Sequence, residues 1–512
     1  MGELSIPPLL AHDPEALPPG RWRILLLPII MVLLAIGIAN AAAISGQDAR
    51  RSNEYDSLRI TSLYWENRLA ATQLEIDQLT ALPHLDAAQR QRLDFLSQQF
   101  PSIQATVDKV HAYGLISYAK YGRVMSNWDG YRYEEIVTDG YVYHQPTDPP
   151  DIKNKSDMPW PGFPEGHIKN VSWYPLYPLM ARGLVALTGI SAIHALTIIS
   201  ETCAVLAAVF FFLYARRHFH NRIPFLHSAG EEAAAHPVRR WDLLPADSAA
   251  LWALAFVLYN PCALFLYANY TESLFILLFA AFLYALQGRR WVIAALIAAL
   301  ASASRSQGVL FGPILAVTYV LRSDLRHGPL KLLIASGLGL LSEVGLFCFM
   351  AFLQHRFHDA LAFMHAQQYW NVGINSVTIS YAMNPVHAMS NFISYLFYVS
   401  PMDWPRIWEA FCVLWPPVVL MILGGRFLSF ELEMAGWLLW GLPYVASCLA
   451  GYPAATDPWM SMGRFMAVML PAQIIIGAVL VRFRWAGIPL LALSAGMFAM
   501  FSYDYGMGQW IG

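Results

Sequence analysis

The sequence predicts an all-helical membrane protein that crosses the bilayer about eleven times. The 512-residue chain is 57% apolar, only 13% of its residues are charged, and its mean hydropathy is positive at +0.42. A soluble globular domain carries about 25% charged residues, roughly twice this share. Apolar runs close to the length of a bilayer span recur between polar loops along the whole sequence. These observations exclude a single soluble domain.

The charge balance and motif content also exclude several classes of function. The formal net charge is −2, so no basic field favours a nucleic-acid partner. No GxGxxG, P-loop or HExxH pattern indicates a nucleotide or zinc enzyme. The histidines between residues 218 and 236 form no recognised set of metal ligands, and a solvated loop explains them better than a metal site.

Composition divides the chain into four segments. Residues 1–20 are Pro-rich and polar, and we assign them to a cytoplasmic tail. Residues 21–45 contain an apolar run that we interpret as a retained first transmembrane helix rather than a signal peptide. Residues 46–170 form a long extracytoplasmic loop. Residues 171–512 form a multi-span transmembrane domain.

Helical periodicity is visible inside the long loop. One set of residues shares a helical face, and a second set follows a potential cap at Asp86: Leu69, Gln73, Ile76 and Leu79, then Leu93, Leu96 and Phe100. These patterns predict amphipathic helices that lie on the membrane or on one another.

The remaining spans fix a topology through their basic loops. We predict them at roughly 191–214, 248–266, 270–287, 291–304, 307–321, 331–356, 405–423, 433–450, 463–482 and 485–503. If the short run 179–187 does not cross, the basic clusters at 216–217, 289–290, 322–331, 426 and 482–484 all face the cytoplasm. This agreement favours a topology in which the run 179–187 does not cross the membrane. Polar and aromatic motifs then gather at the outer surface.

The most unusual of these motifs is the stretch from Asn127 to Tyr141. It joins Trp128, Asp129 and Gly130 to an aromatic and acidic face and a Gly-Tyr end. Two interpretations are open for Asp129. It is either the catalytic base of a membrane glycosyltransferase or a structural N-cap whose aromatic neighbours anchor the loop at the bilayer interface.

Two arginines lie next to apolar runs where an unpaired charge is costly. Arg305 and Arg464 each offer a planar charged fork suited to a phosphate, or else snorkel from a helix end. Glu272 begins a span and either pairs with one of these arginines or contacts substrate. His365 and Gln367 lie in a donor-rich aromatic segment, where a lone histidine is more often a local hydrogen-bonding residue than a catalyst.

Together these motifs resemble the GPI mannosyltransferase II (PIG-V-like) family, within the GT-C class of multi-spanning glycosyltransferases. The stretch Trp128 to Tyr141 resembles the family's Trp-Asp-x-x-x-Tyr-x-x-Ile-x-x-x-Gly-Tyr loop. Further resemblances lie, in order, at 173–178 (Trp-Tyr-Pro-Leu-Tyr-Pro), 260–261 (Asn-Pro), 270–274 (Tyr-Thr-Glu-Ser-Leu), 304–308 (Ser-Arg-Ser-Gln-Gly), 365–367 (His-Ala-Gln) and 463–465 (Gly-Arg-Phe). The resemblance covers about residues 120–475. An insert of some 70 residues before Trp128 departs from the family and leaves the acceptor open.

The resemblance implies a GT-C-like bundle that transfers a sugar, with mannose favoured, from a polyprenyl phosphate to a hydroxyl of a glycolipid or glycan, with inversion. It implies an extracytoplasmic site with neither metal nor other cofactor, and no nucleic-acid partner. Asp129 would act as the base, and Arg305, Arg464 and His365 would bind the donor phosphate. The expected substrate-binding residues are Trp128, Tyr133, Glu134, Tyr174, Glu272 and Gln367. We favour the bacterial inner membrane over the endoplasmic reticulum membrane.

Two other functions remain open from sequence. A transporter or flippase of lipid-linked sugars would place ionisable residues near the membrane midplane, with broken helices in corresponding positions of two halves. No internal repeat supports it. A scaffold role for the insert at 46–112 would add to the enzyme rather than replace it.

Overall fold

The computed structural model describes residues 22–120, 124–143, 170–222, 243–366, 415–449 and 462–508. Within these ranges the secondary structure is entirely helical, which confirms the predicted all-helical class. Short 3₁₀ segments at Asn170–Ser172, Pro261–Leu266 and Ser306–Leu310 precede helices that form the core.

Seventeen α-helices occur in the described part of the chain, and we number them in order. They are α1 (Leu26–Thr80), α2 (Ala87–Lys120), α3 (Asp129–Thr138), α4 (Leu176–Thr188), α5 (Ala192–Arg222), α6 (Pro245–Leu258), α7 (Glu272–Gln287), α8 (Trp291–Ser302), α9 (Phe311–Arg322), α10 (Gly328–Ser342), α11 (Val344–Phe357), α12 (Ala362–His365), α13 (Trp415–Gly424), α14 (Phe430–Leu449), α15 (Met462–Ala467), α16 (Leu470–Leu480) and α17 (Arg484–Gly506).

The first helix differs from the sequence prediction. α1 is one helix of 55 residues, so the expected boundary at residue 45 and the first amphipathic helix both fall inside it. Its single internal proline, Pro28, lies in the first turn, where the missing N–H is tolerated. No other strong helix breaker interrupts the chain before Thr80. The helix α1 therefore continues through the change from apolar to polar residues, which marks a change of environment and not the end of the helix.

The predicted cap at the start of α2 is present. The Gln89 backbone N–H donates to Asp86 Oδ1 over 2.7 Å, and the Asp86 backbone N–H donates to Gln89 Oε1 over 2.9 Å. These reciprocal bonds satisfy two backbone donors at the helix start. Asp86 therefore fixes where α2 begins.

The chain divides into two compact units. One comprises residues 40–127 and 502–509, and the other comprises 1–39, 128–501 and 510–512. In the first unit, small residues allow close helix contact: a Cβ on Gly46 would lie 1.9 Å from the Tyr503 carbonyl oxygen. In the same unit, Asn127 donates from its backbone N–H to the Tyr505 hydroxyl over 3.0 Å.

The core of the second unit is built around α5, α6 and α7. α5 packs along both α6 and α7, and α16 packs against α6. Aromatic rings fill the space between α7 and the start of α9, where Phe282 and Phe311 stack with centroids 4.7 Å apart. Such ring pairs add stabilisation beyond the apolar area that they bury.

The two ends of α7 differ in the polar groups around them. Near its C-terminal end, Arg289 pairs with Asp324 over 2.7 Å. The predicted cytoplasmic loops contribute two further contacts in this unit: Arg322 pairs with Glu431 over 2.7 Å, and His218 Nε2 lies 2.8 Å from the Phe427 carbonyl oxygen.

Glu272 is the first residue of α7. This helix has 16 residues, so its two ends lie about 24 Å apart. The predicted site residue at Glu272 thus lies roughly one apolar helix length from the basic loop.

In the part of the chain that the structure describes, three helical segments are long and apolar enough to cross a membrane: Leu26–Arg50, Ala192–Arg222 and Arg484–Gly506. α10 and α11 count as a fourth span if this pair, bent by 49° at Glu343, is taken together. Shorter apolar helices include α4, α6, α7, α8 and α16. The composition of these helices is that of a membrane protein.

We predict that Gly477→Ala destabilises the protein. A Cβ at Gly477 would lie 2.5 Å from the Ala249 carbonyl oxygen and 2.9 Å from the Ala253 Cβ, so α16 would have to move away from α6. Overpacking of this kind costs about 1–3 kcal/mol. Gly337→Ala is the control, because nothing lies within 4 Å of its Cβ position. Thermal unfolding in detergent should show a lower Tm for Gly477→Ala alone, and equal Tm values would contradict the close approach.

Candidate functional site

Four charged side chains from distant parts of the sequence meet in one place, which we call the charge cluster: Asp129, Glu272, Arg305 and Arg464. Arg305 Nη1 lies 2.6 Å from Glu272 Oε1, and Arg464 Nε lies 3.3 Å from the same oxygen. Arg464 Nη1 also donates a hydrogen bond to Asp129 Oδ2. Glu272 therefore bridges the two arginines, and Arg464 bridges the two acids.

Burial divides the charge cluster into an inner and an outer pair. The side chains of Glu272 and Arg305 are 1% and 7% exposed. Those of Arg464 and Asp129 are 13% and 23% exposed. The inner pair cannot contact a ligand without rearrangement, whereas the outer pair is partly exposed. A substrate would therefore meet Asp129 and Arg464 first.

One aromatic ring contacts both arginines. The guanidinium carbon of Arg305 and that of Arg464 each lie 5.3 Å from the Phe465 ring centroid. Arg305 also lies 5.8 Å from the Phe275 centroid, and Arg464 lies 5.5 Å from the Tyr270 centroid. Cations at these distances are attracted to the ring faces. The rings hold both guanidinium planes in place and shield them from water.

The local backbone explains how Asp129 reaches Arg464. Asp129 is the first residue of α3, whose N-cap is Trp128 at φ 56° and ψ −113° and shows no side-chain capping bond. The interpretation of Asp129 as an N-cap is therefore wrong. Its carboxylate lies in the first turn, where the helix dipole favours negative charge, and it pairs with Arg464 instead.

Buried residues on one side of α3 anchor this helix. Tyr133 is 5% exposed and meets the Tyr177 ring edge-on at a centroid distance of 5.1 Å. The Tyr177 hydroxyl in turn donates to the Leu196 carbonyl oxygen over 2.9 Å, which ties α4 to α5. The ring of Tyr133 thus packs and positions α3, and its expected contact with substrate stays a prediction.

The Tyr133 hydroxyl is close enough to the charge cluster to respond to it. Burial raises its pKa well above the usual range, and the negative charge of Asp129 raises it further. Tyr133 is therefore a neutral hydroxyl at physiological pH and does not serve as a base.

A buried turn positions Glu272. Asn260 caps the 3₁₀ segment Pro261–Leu266 by accepting a hydrogen bond from the Cys262 backbone N–H over 3.0 Å. Downstream, the Asn269 side-chain oxygen accepts from Thr197 over 2.8 Å. Every residue from Pro261 to Ser273 is buried. The Asn-Pro and Tyr-Thr-Glu-Ser motifs of the sequence therefore form one packed turn that delivers Glu272 to the cluster.

Arg305 comes from the turn between α8 and α9. Its backbone is extended, and its Nε donates to Gln307 Oε1 over 3.0 Å. Gly308 follows because a Cβ there would lie 2.0 Å from the Ala301 carbonyl oxygen. The Ser-Arg-Ser-Gln-Gly motif thus combines a buried cation, a side chain that orients it, and a glycine that permits the turn.

Tyr174 belongs to a separate apolar cluster. Its ring packs at 5.8 Å centroid distance from both Phe349 and Phe363, and it is 8% exposed. Burial raises the pKa of its hydroxyl. Tyr141 joins the same cluster through Phe349 and donates to the Trp173 carbonyl oxygen over 2.8 Å. These tyrosines connect the segment after α3 to the segment before α4.

His365 lies in a different hydrogen-bonded group. Its Nδ1 is 2.8 Å from Asp359 Oδ2, which also accepts from the Tyr143 hydroxyl over 2.9 Å. The His365 side chain is 51% exposed. Among the contacts of the described residues, none joins His365 to the charge cluster. Its expected role on the donor phosphate therefore remains a prediction, and Gln367 lies outside the described residues.

The other expected substrate residues lie on or beside α3. Trp128 directly precedes Asp129 and is partly buried. Glu134 follows Asp129 by five residues, which places it about 140° around the helix from Asp129. Both stay predicted substrate-binding residues.

Sequence reasoning missed three residues of these groups. Phe465 and Tyr270 were inside quoted motifs, but only the structure shows that their rings face the arginines. Asp359 carries a weak signal, an acid six residues before a histidine. Within the described ranges, no three His, Cys, Asp or Glu side chains lie close enough together to hold a metal ion.

Comparison with known proteins gives no assignment: no family model matches the chain, and no curated protein matches it.

We predict that Glu272→Gln strongly destabilises the protein, because it leaves two poorly exposed arginines with one carboxylate between them. Breaking a buried ion pair from one side costs about 3–5 kcal/mol. The control is Glu75→Gln, which removes the carboxylate of the exposed Arg92–Glu75 pair and should leave the Tm nearly unchanged. Thermal unfolding of both variants tests this, and equal Tm values would show that Glu272 does not neutralise the arginines.

We predict a pH-dependent contribution from Asp359. Burial alone would raise its pKa, but hydrogen bonds from His365, Tyr143 and the Leu361 backbone outweigh burial and lower it. A lowered folded-state pKa stabilises the fold above the unfolded value of about 4, and this contribution disappears as pH falls through the folded value.

The test compares the Tm of the intact protein with that of Asp359→Asn. The difference should be present at pH 7 and should shrink steadily below pH 4. A difference that is constant across this range would show that the carboxylate charge is not what stabilises the group.

Proposed function

We propose that this protein is an integral membrane glycosyltransferase that transfers a hexose, with mannose favoured, from a polyprenyl phosphate to a hydroxyl on a glycolipid or glycan. The observation that carries the proposal is the outer pair of the charge cluster, in which a partly exposed carboxylate and a less exposed guanidinium lie side by side. A base for the acceptor and a cation for the leaving phosphate are the two groups that this reaction needs.

Each bond change has a candidate residue. The acceptor oxygen attacks the anomeric carbon from the face opposite the phosphate, and its proton passes to Asp129. The bond between the anomeric carbon and the phosphate oxygen breaks, and the electron pair leaves with the lipid phosphate. Arg464 stabilises that growing negative charge through its planar fork. Attack from the opposite face inverts the configuration.

The two arginines have different roles in this proposal. Arg464 is more exposed than Arg305, at 13% against 7%, and contacts both acids, so it is the better candidate for direct contact with the phosphate. Arg305 is enclosed by Glu272, Phe275 and Phe465. We assign Arg305 to positioning, where it neutralises Glu272 and adds positive potential behind Arg464.

The setting in the membrane supports a lipid-linked donor. Glu272 begins the short apolar helix α7, and Arg464 lies in α15, which directly precedes the short apolar helix α16. We propose that they belong to a GT-C-like bundle of about eleven spans, with the cluster on the extracytoplasmic side. The host membrane we favour is the bacterial inner membrane.

One observation favours a transporter of lipid-linked sugars as the second candidate. The pair α10 and α11 is bent by 49°, and Glu343 lies at the break. Its two carboxyl oxygens are buried and have no hydrogen-bond partner among the described residues. Broken helices with ionisable residues are typical of transporter binding sites. Retained movement of lipid-linked sugar across the membrane without transfer would favour this candidate.

We predict that Asp129→Asn lowers the transfer of mannose from radiolabelled polyprenyl-phosphate mannose into membrane lipids by about 10² to 10⁴-fold. The amide keeps the shape of the side chain but cannot take the proton. Asp139→Asn is the matched control, since it is the same change at the exposed C-cap of the same helix, and it should retain activity.

Full activity of Asp129→Asn at matched expression would mean that the base is another residue, with Glu134 and Glu135 the next to test. Absence of transfer by the intact protein would remove this donor and raise the transporter candidate.

A further inference from the structure

The proposed function gives Asp129 and Arg464 separate tasks, yet the two side chains bind each other. Arg464 Nη1 donates to Asp129 Oδ2. While this contact lasts, one N–H of Nη1 and one lone pair of Oδ2 are engaged, and the carboxylate charge lies beside the cation where a phosphate would bind. A phosphate that approaches the same guanidinium edge therefore competes with the Asp129 carboxylate.

The geometry identifies which contact can be exchanged. The Arg464 guanidinium turns its Nε edge inward to Glu272, at 3.3 Å, and its Nη1 outward to Asp129. Glu272 is 1% exposed and is also bound to Arg305, so the inner contact is fixed. Asp129 is 23% exposed and lies at the start of α3, so the outer contact is open to competition.

A lipid phosphate matches the group that Asp129 supplies. A phosphate oxygen and a carboxylate oxygen both accept charge-assisted hydrogen bonds from the same guanidinium edge. The tail of the lipid also gains from the surrounding apolar surface, which the carboxylate does not. The phosphate can therefore replace the carboxylate on Arg464 with little change in the position of the cation.

We propose that Asp129 occupies the phosphate site of Arg464 until the donor arrives, and that the donor phosphate displaces it and so releases the base. The inference rests on the proposed function and adds an order of events to it. The donor binds first, the freed Asp129 carboxylate then accepts the acceptor hydroxyl, and its return to Arg464 after transfer helps to expel the product phosphate. The unliganded enzyme therefore holds its base in an inactive pair.

The test measures the affinity for polyprenyl phosphate, which carries the phosphate and the tail but no sugar, so no turnover interferes. The full chain is reconstituted in nanodiscs of neutral lipid. Removal of the competing carboxylate in Asp129→Asn should lower the Kd for polyprenyl phosphate about tenfold, which corresponds to roughly 1.4 kcal/mol. Asp129→Glu keeps the charge and should bind as the intact protein does.

Two controls separate displacement from a general electrostatic effect. Asp139→Asn removes one negative charge at the other end of α3 and should leave the Kd unchanged. In an Arg464→Gln background, Asp129→Asn should no longer improve binding, because the site for which the two anions compete is gone. Thermal unfolding of each variant confirms that it is folded.

The outcomes distinguish this inference from the proposed function. If the intact protein binds polyprenyl phosphate and transfers the sugar, but Asp129→Asn binds no more tightly, the displacement is wrong and the transferase stands. If the intact protein neither binds nor transfers, both are overturned. Tighter binding by Asp129→Asn together with loss of transfer supports both.

Discussion

The charge cluster depends on Glu272, whose carboxylate contacts both arginines. An ionised group moved out of water without a partner costs several kcal/mol, so Arg305 and Glu272 can be buried only because each faces the other. This pair fixes the start of α7 against the turn before α9. Arg464 then uses the same Glu272 oxygen and brings α15 to the same place.

Part of this arrangement could be predicted from the sequence. Arg305 and Glu272 lie next to apolar runs, where a charge needs a partner, and an ion pair between them was one of two interpretations. The cap at Asp86 was also readable, since an acid followed by Gln89 is a local pattern. The ion pair follows from the free-energy cost of an unpaired charge in an apolar region, and the cap follows from a spacing of three residues. Both can be assessed from the sequence without knowledge of the tertiary structure.

The rest depends on tertiary contacts that spacing does not encode. Asp129 and Arg464 are 335 positions apart in the sequence. An acid at a helix start predicts an N-cap as well as it predicts a catalytic base. Tyr133 shared a motif with Asp129, but only the packing of α3 on α4 shows that its ring is buried. The length of α1 was missed for a different reason. Hydropathy marks where a helix leaves an apolar environment, whereas the helix ends only where a backbone signal stops it.

The backbone of Trp128 has a consequence for how this site can change over evolution. Its φ of 56° with ψ of −113° is a conformation that favours glycine, and it costs a bulky residue of order 1–3 kcal/mol. A glycine at this position would relieve that cost, yet it would also give the chain freedom immediately before Asp129. Selection for robustness alone would therefore remove the tryptophan. Its retention would mark a trade-off in which part of the protein's stability is given up to keep one carboxylate in register with its partner.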